Sequence, residues 1–149
     1  MRIMAGRFIL VCTLAVAALG IAGCGSARTQ SDRIVLGSGG GYTGAYSGYI
    51  IHGDGQVAGW RGVGATRDSS RALFTLSRDS TDYYFDQLET MKFEKIDFNS
   101  PGNLTYLLEL EHDEKSHIVR WGDARYTPPV PVSDFYARTI EMILSRTAP

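Results

Sequence analysis

The sequence predicts an α+β domain: an antiparallel β-sheet of two or more hairpins with two α-helices packed on one face. Three observations predict it. Leu104, Tyr106, Leu108 and Leu110 alternate with Thr105, Leu107, Glu109 and Glu111, the period of a strand with one strongly buried face. Asp54-Gly55 and Pro101-Gly102 place turn residues between apolar runs. Tyr84, Leu88 and Met91, and later Tyr136, Ile140, Ile143 and Leu144, recur at helical spacing. Hairpins that neighbour one another in sequence, each group followed by a helix, favour an antiparallel sheet.

The N-terminus comes first in the chain. Arg2 and Arg7 flank a basic start, and 8–19 is an almost unbroken apolar run. A membrane-spanning helix needs about 20 such residues, so this run has the length of a signal-peptide core. It ends in Ile21-Ala22-Gly23-Cys24, which resembles the lipobox of bacterial lipoproteins. That resemblance implies cleavage before Cys24 and acyl chains, palmitate among them, on its sulfur and new amino group. The alternative is an ordinary secretory signal cut near Ala22 or Ala27, with Cys24 a plain thiol. The expected organisation is a signal peptide over 1–23, a small polar tether over 24–32 and one domain over 33–149. The implied location is the cell membrane or outer membrane, on the exported face. Gly25, where an acid would favour inner-membrane retention, weakly favours the outer membrane.

Cys12 and Cys24 are the only cysteines, and Cys12 lies in the segment to be removed. No internal disulfide is therefore expected. Removing Arg2 and Arg7 leaves 13 basic residues against 16 acidic. A net acidic domain argues against a nucleic-acid partner.

Arg33–Leu36 reads as the first strand. The stretch Gly37-Ser38-Gly39-Gly40-Gly41-Tyr42-Thr43-Gly44 reads as a loop, since glycine weakens a strand interior. Tyr46–His52 is a second strand, and Asp54-Gly55 suggests a type I′ turn into Gln56–Trp60. Residues 61–70 read as a polar loop and 71–76 as a short strand or arm. Ser77 to Ser80 offer caps for a helix over Thr81–Met91. Phe93, Ile96 and Phe98 follow as an extended exit. After the strand from Leu104, 112–115 is a charged turn, and His117, Val119 and Trp121 form its partner strand. Glu109 and Glu111 read as a solvent face. Residues 128–131 read as a stiff extended segment, with Ser133 as the N-cap of the last helix.

No pattern selects a reaction. The glycine stretch could form a nest of backbone N–H groups for an anion, but no Lys-Ser/Thr follows and no helix begins there. Its simpler role is to bend a strand or admit Tyr42 and Tyr46 close to backbone. Gly-x-Ser-x-Gly is absent, though a triad assembled in space stays open. His52, His112 and His117 lack metal-ligand spacing, so no metal, cofactor or catalytic residue is assigned. Asp123 suits an Asx-type turn beside Trp121.

The landmarks Gly37 to Gly44, Asp54-Gly55, Pro101-Gly102-Asn103 and Trp121-Gly122-Asp123 together resemble a group of small bacterial envelope proteins, many of them lipoproteins. The resemblance spans Ile34 to the last helix and implies a domain without an assigned activity. The expected function is a lipid-anchored, non-catalytic module binding an envelope protein or a ligand. Its candidate surface is Gly39, Gly40, Gly41, Tyr42 and Thr43 with Trp121, Asp123 and Arg125. The alternatives are an inhibitor of envelope or foreign hydrolases, and a hydrolase with a dispersed active site.

Overall fold

The computed structural model describes residues 28–64 and 66–148. The signal segment, the lipobox and Cys24 lie outside the described residues. The elements run β1 (Arg33–Gly40), β2 (Ala45–His52), β3 (Gln56–Val63), β4 (Ser69–Thr75) and α1 (Arg78–Thr90). A 3-10 turn (Phe93–Lys95), β5 (Asn99–Ser100), β6 (Leu104–His112), β7 (Lys115–Trp121) and α2 (Val130–Thr147) follow. The fold is α+β, with seven strands ordered β4-β3-β2-β1-β6-β7-β5. Every pairing is antiparallel except the short parallel contact of β5 with β7.

Alternation along β1 divides the core. Ile34 and Leu36 join Ile51, Leu108, Val119, and Phe85, Leu88, Phe135 and Ile143 of the helices in the main cluster. Val35 points the other way and packs with Ile50, Trp60 and Leu107. Arg67, in the β3–β4 connection, binds both Glu109 and Glu111 of β6. Those two glutamates are therefore not a free solvent face, because a basic side chain lies over them.

The glycine stretch is not a loop up to its last residues. Gly37–Gly40 belong to β1, paired with β2 on one side and β6 on the other. Trp60 explains it. A Cβ at Gly37 would stand 2.5 Å from Trp60 Cζ2, and the indole N–H donates to the Leu36 carbonyl at 3.1 Å. The missing side chain lets the indole lie against the strand. Tyr46 uses Gly39 similarly, with its Cγ 2.8 Å from where a Cβ would be. Tyr42, by contrast, is fully exposed.

Other boundaries move for local reasons. β3 and β4 extend over Arg61–Val63 and Ser69–Ser70, which the polar composition had marked as loop. In the β2–β3 turn only Gly55 has positive φ, at +91°. Gly55 N–H donates to the His52 carbonyl, and Asp54 caps the Gln56 N–H at 3.0 Å. This is a turn closed by one left-handed glycine, not the type I′ turn expected there. Both central residues of the β6–β7 turn, Asp113 (φ 49°) and Glu114 (φ 60°), do take positive φ, as a type I′ hairpin requires. Ser77 caps α1 through the Ser80 N–H, while the buried stripe is Thr81, Phe85 and Leu88. Helix α2 starts a turn earlier than Ser133, at Val130. Pro131 fits there because first-turn N–H groups need no intrahelical acceptor.

Of the expected tether, residues from Arg28 on are described, and they are fastened to the domain. Arg28 binds Asp82 at 2.8 Å and Asp86 at 2.6 Å and lies over the Phe85 ring. Asp32 is buried and accepts from Thr29 N–H at 2.8 Å.

Candidate functional site

The central strand changes character half-way. Ile34, Val35 and Leu36 are fully buried; from Gly37 on the strand carries only glycine and serine. Register carries this change sideways. Ser38 pairs with Ser47 and with Tyr106, Ser47 with Arg61, and Arg61 with Ser69. Directly paired residues share a face, so Tyr106, Ser38, Ser47, Arg61 and Ser69 form one row. The next row runs from Leu36 through Tyr49 and Gly59 to Arg71.

These rows floor an open groove of about 760 Å³, bounded on one side by Tyr136 and Ile140 of α2. The serines and Gly59 give a low polar floor, with Tyr49, Tyr106 and Tyr136 on the helix side. Arg61 and Arg71 stand on the other side. Neither pairs with a carboxylate among the described residues. The Tyr136 hydroxyl donates to the Gly37 carbonyl at 3.0 Å. Burial pushes its pKa up to about 12 against the opposing influence of Ser38, so it acts as a neutral phenol. Its ring packs edge-on against Tyr106 and Trp121 at 5.8 and 5.1 Å. The described lining holds arginine, serine and tyrosine and no carboxylate, histidine or cysteine.

The residues singled out from the sequence gather at one end of the sheet, and all but one of them reach its surface. Gly39 and Gly40 close β1, and Gly41, Tyr42 and Thr43 lie in the turn to β2. Gly41 N–H donates to the Asn103 carbonyl at 2.7 Å, and Gly44 N–H to Gly41. Two donors of the supposed nest are thus already used within the protein. Thr43 Oγ1 accepts from Ala45 N–H. Gly102 packs on Gly122, where an added Cβ would meet a carbonyl oxygen at 2.3 Å. Asp123 lies just beyond and forms the Asx turn, accepting the Arg125 N–H at 3.0 Å. The Arg125 side chain adds a fork onto the same carboxylate and holds the Asp123 pKa below its ordinary value. Trp121 is the exception: it is buried and stacked on Tyr106 at 5.8 Å.

Asp32, His112 and Asp113 come close enough to suggest a metal group. However, the His112 ring puts Nδ1 toward Asp32 at 2.9 Å and Nε2 toward Asp113 at 3.3 Å. The two carboxylates address different ring nitrogens, so the group is a clasp in which Asp32 and His112 share a hydrogen bond and Asp113 lies near the other nitrogen. His52 and His117 are engaged with backbone carbonyls. Among the described residues no helix is long and apolar enough to cross a membrane.

The chain matches no known family model and no curated protein.

Sequence reasoning missed the groove. It read 61–70 as loop, which hid Arg61 and Ser69, and it read Ser38 as part of a glycine loop. The available signal was the alternation itself: Ser38 follows Ile34 and Leu36 on one face of β1, and Ser47 precedes Tyr49 and Ile51 on the same face of β2.

Proposed function

We propose that this chain is an exported, lipid-tethered binding domain without catalysis, held at the membrane by acyl chains on Cys24. Its ligand or envelope partner is captured in the groove between the sheet and α2. The observation that supports this reading is the open half of the sheet. There the described lining holds two arginines without carboxylate partners among the described residues, several serine hydroxyls and three tyrosines, and no carboxylate or histidine to act as general base. The cluster shared by both helices with Ile34 and Leu36 likewise supports the finer expectation that both helices lie on one sheet face, which is what leaves that face half covered. The surface expected from the sequence, Gly39–Thr43 with Trp121, Asp123 and Arg125, does not line the groove; its exposed members would serve as an outer rim. The test is a photo-crosslinking amino acid at Ser47 and, as control, at Ser116 on the opposite face, in the lipidated protein in its own cells. Adducts at Ser47 and none at Ser116 are expected; adducts at neither position would remove the groove assignment. Mass spectrometry of the mature N-terminus should show an acylated Cys24, and an unmodified thiol there would remove the anchor.

A second reading is favoured by Tyr42, fully exposed at the tip of the β1–β2 turn: a projecting loop suits an inhibitor of envelope or foreign hydrolases. Inhibition of a protease or lysozyme, lost in Tyr42→Ala, would establish it. A panel with no inhibition would end it.

A further inference from the structure

We propose that the groove is an anion site for a small amphiphile, one that joins a carboxylate, sulfate or phosphate to a ring or short apolar body. The inference rests on the reading of the groove as the binding surface and names what that surface takes.

Charge carries the first part. Arg28, Arg67, Arg78, Arg125 and Arg138 each hold a carboxylate. Arg146 lies over the Phe74 ring. Arg33 also holds a carboxylate, that of Glu111; among the described residues Arg61, Arg71 and Arg120 do neither, and of these Arg61 and Arg71 stand together. Arg61 pairs with Ser69 and Gly59 with Arg71, so the two arginines are diagonal neighbours on one face, with Cβ atoms about 7 Å apart. Two long side chains from such positions can close on one anion, each offering a planar fork of N–H donors that matches a carboxylate or phosphate. Among the described residues no carboxylate lines the groove to repel that anion or compete for the guanidinium groups.

Shape carries the second part. Beside the arginines the floor is Ser38, Ser47, Ser69 and Gly59, low enough to let a ligand lie flat and able to donate hydroxyl hydrogen bonds. Across the floor stand Tyr49, Tyr106 and Tyr136. The last is locked by its bond to the Gly37 carbonyl, so its ring is already in place before a ligand arrives, which lowers the entropy lost on binding. A ligand laid across the sheet meets charge at one end and aromatic surface at the other. The volume suits a small molecule. A sheet face awaiting a helix or a second protein core would repeat the apolar alternation of the covered half, and this one does not.

The test uses the full-length chain in detergent micelles, followed by calorimetry and by NMR of the tyrosine rings. The probes are phenyl phosphate, phenyl sulfate and benzoate, with inorganic phosphate and benzyl alcohol as the two half-ligands. At least one aryl anion should bind about tenfold or more tighter than either half-ligand, and added salt should weaken it. The ranking among the three anions identifies the head group. The double variant Arg61→Gln/Arg71→Gln should lose about tenfold or more in affinity at unchanged melting temperature, because both side chains are exposed, whereas Arg61→Lys/Arg71→Lys should recover part of it. Benzyl alcohol binding as tightly as the anions, wild-type affinity in the glutamine double variant, or no binding of any aryl anion would each overturn the proposal. Ser47 crosslinks in cells that persist in the glutamine double variant would reject the anion class while leaving the groove reading standing; absence of Ser47 crosslinks rejects that reading itself.

Discussion

The same face of the same sheet is built in two ways. Toward the start of β1 it presents Ile34, Leu36, Ile51 and Leu108, all fully buried in one core cluster with Phe85, Leu88, Phe135 and Ile143. Toward the end of β1 it presents Ser38, Ser47, Arg61 and Ser69 to an open groove. Hydrogen bonding does not distinguish the halves, because β1 is paired with both neighbours through Gly40. The difference lies in side chains alone. Ladder hydrogen bonds hold the second half in place, so its side chains are free of the duty of making a core.

Substitutions can break this contrast. The largest effect is expected in the covered half. Leu108→Ala should cost about 2–5 kcal/mol, through lost burial and the cavity left behind, and should lower the urea midpoint at an unchanged m-value. Its counterpart in the open half, Ser47→Ala, should stay within about 0.5 kcal/mol; equal losses at both positions would show that the groove is closed in solution. Gly37→Ala comes second. Its Cβ would meet the Trp60 ring at 2.5 Å, and overpacking of this kind costs about 1–3 kcal/mol, with a change in Trp60 fluorescence. A wild-type spectrum in that variant would show that the indole does not rest on the strand.

Acid should act on the covered end. Burial raises the Asp32 pKa, but hydrogen bonds from the Thr29 N–H and from His112 outweigh it, so the carboxyl sits below its ordinary value. A group depressed in the folded state stabilises above its unfolded pKa and loses that contribution as pH falls through the folded value. The chain should therefore lose stability below about pH 4, and Asp32→Asn should be weaker at neutral pH and lack that part of the acid response. Identical acid profiles would remove the clasp from the account. The smallest effect is expected at Tyr42→Ala: its ring is fully exposed, and melting should be unchanged within about 0.5 kcal/mol.

Periodicity made most of the elements legible. The alternation over 104–111 and the caps among Ser77 to Ser80 mark β6 and α1, because each depends on neighbours in sequence, although α1 begins at Arg78, not Thr81, and buries Thr81 and Phe85 beside Leu88. What escaped depends on neighbours in space. Glycine in a central strand looks unfavourable until Trp60, 23 residues from Gly37, is known to lie on it. The exposed stretch 61–70 looks like loop because both its strand ends face water. Its two arginine neighbours, Arg61 and Arg71, are ten residues apart in sequence and become adjacent only through the β3–β4 register. The end-of-sheet cluster was legible as turns, yet Trp121 looked available and is buried, since only the fold stacks Tyr106 and Tyr136 around it.

The grip of Arg28 on α1 has a consequence for how the domain stands. With an anchor at Cys24, only three residues separate the lipid from Arg28, a reach of about 14 Å fully extended. Thr29 lies against Gly53 in the β2–β3 turn, at the Arg33 end of β1. Eight strand residues then carry the chain about 26 Å away. Such an anchor would moor the domain by its heel on a short line, with the β1–β2 hairpin tip at the far end. Whatever enters the groove would come from the aqueous side, not up from the bilayer.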